Sequence, residues 1–104
     1  MIDEVWTLHR RDDDLLLAEL SVTDQDFPWL YARVEPRGGL DDLRPLFAEE
    51  LRLLEQVEAW EAAYDAISAA VTLRYPDGQV VPEFLLHLEG DEAWWRWIDD
   101  RAHE

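Results

Sequence analysis

The sequence predicts an α+β domain: an antiparallel sheet of about six strands, three before and three after one long helix that packs on one face of the sheet. Three observations predict it. Apolar residues alternate with period two up to Glu35 and again from Val71; the period changes to 3.6 between Leu43 and Tyr64; and turn-forming clusters separate the runs. At 104 residues the chain has the size of one domain, so residues 1–104 are read as a single unit with a modest core. A hydrophobic content of 48%, with 12% aromatic residues, sets it apart from disordered chains.

Between Glu4 and Arg10 the run Val-Trp-Thr-Leu-His places Trp6 and Leu8 on one face of a strand and Val5, Thr7 and His9 on the other. Arg11-Asp12-Asp13-Asp14 forms a turn, and a second strand follows from Leu15 to Val22 with Leu16, Ala18, Leu20 and Val22 on a common face. The two make a hairpin. Thr23 to Pro28 is a polar loop, because the proline pushes Phe27 toward an extended conformation. Trp29 to Glu35 alternates Leu30, Ala32 and Val34 against Trp29, Tyr31 and Arg33, which makes a third strand, stopped by Pro36-Arg37-Gly38-Gly39.

With Leu43 at the origin of a helical wheel, Leu46, Phe47, Leu51, Leu53, Leu54, Val57, Trp60 and Tyr64 fall in one wide sector. Arg44, Arg52, Gln56, Ala59 and Ala63 fill the other. Asp41 or Asp42 supplies the N-cap, and Pro45 sits in the first turn, where no intrahelical N–H bond is lost. The register slips between Glu55 and Glu58, which leaves open a kink or a break into two helices. The helix ends near Ile67 to Ala70. Val71 to Tyr75 is a fourth strand, Pro76-Asp77-Gly78-Gln79 a turn, and Val80 to Leu88 a fifth strand in which Pro82 marks an edge or a bulge. For residues 92–98 a strand is favoured by Trp and Ile, against a short helix capped by Asp91. Arg101 to Glu104 should fray. One helix cannot cover both faces of six strands, so either the sheet curls onto itself or an aromatic surface is left for a partner.

The net charge is −16, from 25 acidic and 9 basic side chains. Every basic residue is Arg, and Lys and Asn are missing, as a GC-biased genome would produce. Such a charge repels phosphate backbones and anionic membranes, which argues against direct nucleic-acid or lipid contact and favours a basic protein partner. Cysteine is absent, which excludes disulfides and thiolate chemistry. The N-terminal residues lack a signal-peptide pattern and no run is long enough to span a bilayer, so a cytoplasmic protein is expected.

No motif fixes an activity. His9 and His87 lie in strands, with Glu89 beside His87, but their spacing is not that of metal ligands. Asp12-Asp13-Asp14 lacks the alternation and glycine of a calcium loop, and Asp24 and Asp26 lack a distal Glu. The serines and threonines have no nucleophile elbow, and the glycines cradle no phosphate, so no cofactor is expected. Glu50 and Glu61 project into the helix's apolar sector, where each needs a partner such as Arg33 or Arg96. Trp94-Trp95-Arg96-Trp97 combines the residue types enriched at binding hot spots. Its alternation turns Trp95 and Trp97 away from Trp94 and Ile98.

These features favour a non-enzymatic interaction module that binds a basic protein, or a second copy of itself, through Trp29, Tyr31, Trp95, Arg96 and Trp97. A toxin-neutralising inhibitor or a DNA mimic would be specific forms of it. The alternative is a small enzyme or small-molecule binder with a pocket between helix and sheet using Arg33, Glu50 and His87. The segments Phe84 to Trp97, Asp26-Phe27-Pro28-Trp29 and Arg44-Pro45-Leu46-Phe47-Ala48-Glu49-Glu50 resemble a group of small acidic actinobacterial proteins of unknown function. The resemblance covers nearly the whole chain and implies no catalytic or binding residue.

Overall fold

The computed structural model describes residues 4–98, so the end expected to fray lies outside it. The strands are β1 Val5–Arg10, β2 Leu16–Asp26, β3 Trp29–Pro36, β4 Val71–Arg74, β5 Glu83–Glu89 and β6 Glu92–Ile98. Two helices, α1 Leu40–Arg52 and α2 Val57–Ala70, join β3 to β4. All pairings are antiparallel, in the order β4-β1-β2-β3-β6-β5. The α+β class holds, and the sheet curls into a nearly closed barrel.

Packing inside the barrel shows the curl. Cross-strand register puts Leu73, Leu8 and Ala18 in one row, Trp6, Leu20 and Val34 in a second, and Leu30, Trp95 and Leu86 in a third. All nine are buried. Trp6 on β1 lies with its ring centroid 5.3 Å from Trp95 and 5.0 Å from Trp97, both on β6. Strands β2 and β3 separate β1 from β6 in the sheet. Rings on strands so far apart can meet edge to face only across the lumen of a curled sheet.

The seam lies between β4 and β5, and local chemistry closes it on both sides. After β4 the chain turns at Tyr75 to Gln79 and runs back, so that Val81 N–H donates to Leu73 carbonyl oxygen at 2.9 Å and Val80 bridges Arg74. Pro82 has no N–H to continue this pairing. The fifth strand therefore begins at Glu83 rather than Val80. On the other side the Tyr64 hydroxyl of α2 donates to the Phe84 carbonyl at 2.8 Å and accepts from Leu86 N–H at 2.9 Å. Helix α1 packs on β5 and α2 on β4, which covers the seam.

Other sequence expectations change. Strand β2 continues through the segment read as a loop, because Asp24, Gln25 and Asp26 pair with Tyr31, Leu30 and Trp29 after a bulge at Thr23. Backbone pairing tolerates polar side chains on both faces there because that end is exposed. A second bulge opposite Leu8 and His9 pairs His9 with Leu16, so Leu17 and Ala18 are buried in succession and Leu16 is only partly covered. The slip near Glu55 is a full break over residues 53–56.

Neither Asp41 nor Asp42 caps α1. Gly39 occupies the N-cap at φ +94°, while the two aspartates lie in the first turn, where the helix dipole favours them. A Cβ on Gly39 would meet the Cδ2 atoms of Leu15 and Leu17 at 3.1 Å. Gly39→Ala should therefore lower stability by about 1–2 kcal/mol, through positive φ and crowding together. Urea unfolding would show the midpoint fall with an unchanged slope. An unchanged midpoint would mean that the entry to α1 relaxes freely.

Candidate functional site

Strand alternation gives the barrel an outer face, and on it β3, β5 and β6 bring aromatic side chains together. Tyr31 pairs with Trp94, and Trp94 with His87, so these three form a row. Trp29 stacks on the His87 ring at 5.8 Å and 27°, and Trp94 approaches it at 5.5 Å, tilted by 35°. Trp29, Tyr31 and Trp94 stay half-exposed. Across β2, Asp26 stands opposite Trp29 and Asp24 opposite Tyr31, both exposed. A shallow cleft of about 360 Å³ between β3 and β6 is lined by Thr23, Tyr31, Arg33, Glu92 and Trp94 among others.

Beneath this face lies a buried polar cluster. Glu50 of α1 is fully buried, with Oε1 3.0 Å from His87 Nδ1. Its Oε2 accepts the indole N–H of Trp60 from α2. A carboxylate enclosed in this way is tolerable because both oxygens have donors. In the tautomer whose Nδ1–H donates to Glu50, the other ring nitrogen of His87, Nε2, carries the lone pair. The dyad therefore orients His87 between Trp29 and Trp94 and ties α1 to the sheet.

The helix break explains why Glu50 and Glu61 differ. A continuous wheel puts both in the apolar sector, but the break turns Glu61 out to solvent and leaves Glu50 inside. Neither Arg33 nor Arg96 is the partner of Glu50. Arg33 is 69% exposed, with its Nε 3.8 Å from Glu35, so of the three residues expected in a pocket only Glu50 and His87 meet. The clefts between β3 and β6, beside α1, and between α2 and β5–β6 are lined by neither of these two.

The residues expected at a docking face divide between two surfaces. Trp29 and Tyr31 lie outside, Trp95 is fully buried in the lumen, and Trp97 is half-buried beside it. Arg96 is exposed on the outer side of β6. Sequence reasoning missed Trp94 and Trp60. Alternation over residues 93–98 separates Trp94 from Trp95 without saying which one faces inward, and the wheel places Trp60 near Glu50 without showing that a helix break brings them together.

The acidic turn is structural: Arg10 hydrogen-bonds both oxygens of Asp13, and this contact, then Leu15 N–H, holds the Asp13 carboxyl down at about 2. Asp14 pairs with Arg74 at 3.0 Å, and His9 bonds Thr7 Oγ1 at 2.9 Å. Among the described residues no three His, Asp or Glu side chains gather as a metal site, and no helix is long and apolar enough to cross a membrane. The chain matches no family model, no curated protein and no solved structure.

Proposed function

We propose that this protein is a non-enzymatic, acidic binding module that takes a cationic segment of a protein partner on its outer aromatic face. The observation that carries this reading is the cross-strand pairing of Trp29 with Asp26 and of Tyr31 with Asp24. Neither aspartate, nor Glu92 on the neighbouring strand, has an ion pair among the described residues. An Arg or Lys laid over such a ring gains about 0.5–2 kcal/mol from the ring face, and a carboxylate beside the ring orients it. The net charge of −16 supplies long-range steering toward basic partners and away from phosphate.

The sheet edges support the face as the docking surface. Residues 79–81 pair with the end of β4, and the Tyr64 hydroxyl occupies the Phe84 carbonyl and Leu86 N–H of β5, which restricts strand addition along both edges. The same covering, together with charge repulsion, disfavours self-association. Light scattering on the free protein at micromolar concentration should give the monomer mass. A stable dimer would shift the reading toward self-docking.

The partner reading is tested by affinity capture with three baits: the native chain, Trp94→Ala, and Asp24→Asn with Asp26→Asn. A basic protein should be retained by the native chain at low salt and released at high salt, since screening removes the steering charge. Both variants should lose it. Retention by both variants would remove the aromatic face from the interaction.

A further inference from the structure

A second cleft, of about 380 Å³, opens between α2 and the β5–β6 hairpin. Its walls are aromatic: Trp60, Tyr64, Phe84 and Trp97, with Arg96 and Glu83 contributing the charged groups. Trp60 and Tyr64 stack at 5.4 Å and 16°, and each is anchored by its polar atom, Trp60 to Glu50 and Tyr64 to the β5 backbone. The wall is therefore preorganised, and its volume falls within the range of small-molecule sites.

Arg96 distinguishes this cleft from an ordinary apolar dent. Arg10, Arg33, Arg37, Arg44, Arg52 and Arg74 each pair with a carboxylate, and Arg11 bonds the Ser68 and Val71 carbonyls. Arg96 alone among the described arginines has neither an ion pair nor a hydrogen bond to any described residue. Its cross-strand neighbour is Leu85, not an acid. A guanidinium left open at the wall of an aromatic slot presents a planar fork that matches one carboxylate.

We propose that this cleft binds a small monocarboxylate with a flat, apolar body. The body lies against the Trp60–Tyr64 stack, and the carboxylate takes the Arg96 fork. Glu83 selects against a second negative charge. This site is separate from the outer aromatic face and stands on different residues.

Indole-3-acetate is a suitable probe, with neutral indole-3-acetamide as its comparison, and the indole N–H signal of Trp60 in nitrogen-labelled protein is the readout. A saturable shift of that signal is expected, with the acid at least tenfold tighter than the amide, the factor a charge-assisted hydrogen bond supplies. Arg96→Gln should remove that difference while leaving the unfolding midpoint unchanged, because the side chain is exposed. Arg96→Lys, which keeps the charge and loses the fork, should fall between. Equal affinity for acid and amide, undiminished binding by Arg96→Gln, or no saturable shift would each overturn the assignment.

Discussion

Replacing Glu50 with alanine is expected to cost about 3–5 kcal/mol of folding stability, a large share of what a domain of this size has. The change removes one carboxylate but strips acceptors from the buried His87 Nδ1 and the half-buried indole N–H of Trp60. Each orphaned donor carries about 1–3 kcal/mol of desolvation cost, and the space vacated by the side chain adds a cavity term. Urea unfolding measures the loss. Should the alanine variant fail to fold, Glu50→Gln provides the test: its amide oxygen serves one donor while its NH2 group faces the other, so it should lie between native and alanine.

A double-mutant cycle separates the network from the cavity. His87→Ala alone removes the hydrogen bond to Glu50 together with the ring contacts to Trp29 and Trp94, and in the Glu50→Ala background its further cost should shrink by at least about 1 kcal/mol, because the shared hydrogen bond is already gone. Additive costs would mean that Glu50 and His87 contribute independently. The same variants should weaken capture by the outer face, since Glu50 sets the ring on which Trp29 stacks.

Much of the fold was legible because period and punctuation agree locally. Leu30, Ala32 and Val34 face inward as their alternation predicts, and the change of period at Leu43 marks the helical region. Pro76-Asp77-Gly78-Gln79 turns the chain as its composition requires, with Gly78 at φ +92°. What could not be read depends on partners distant in sequence. The bulge that buries Leu17 beside Ala18 is a property of the pairing of β1 with β2, and neither strand shows it alone. The curl follows from Trp6 meeting Trp95 and Trp97 across the lumen, a contact between residues about ninety positions apart.

The candidate site divides in the same way. Glu50 announced itself by sitting in an apolar sector, where a carboxylate needs a donor. Arginine was the expected donor because it is the usual partner of a buried acid, yet β5 brings a histidine to that place and α2 an indole. Both are weaker charge partners but well-shaped donors, and they satisfy the carboxylate without burying a second permanent charge. Charge patterning alone does not reveal such a choice. The sequence grouped Glu50 with His87 in the alternative pocket, and the two do meet, but it wrongly added Arg33 and did not name Trp60.

Tyr64 carries the last large effect, in which one hydroxyl both stabilises the seam and guards it. Tyr64→Phe should lower stability by about 2–4 kcal/mol at neutral pH, because the Phe84 carbonyl and the Leu86 N–H lose their common partner at the barrel seam. Burial pushes the Tyr64 phenol well above its ordinary value; Leu86 N–H pulls the other way, and the nearby Glu50 charge adds to the rise. A group whose folded value is raised stabilises fully below its unfolded value, here about 10, and that stability is lost as pH climbs through the interval above it. The native chain should therefore weaken steeply in denaturant above about pH 10, while Tyr64→Phe, already weaker, should show a shallower alkaline decline. Parallel declines would assign the alkaline loss to other groups. The variant also uncovers the β5 edge, so light scattering should detect concentration-dependent association in Tyr64→Phe that the native chain lacks. Association without loss of stability would show that the hydroxyl guards the edge but does not support the barrel.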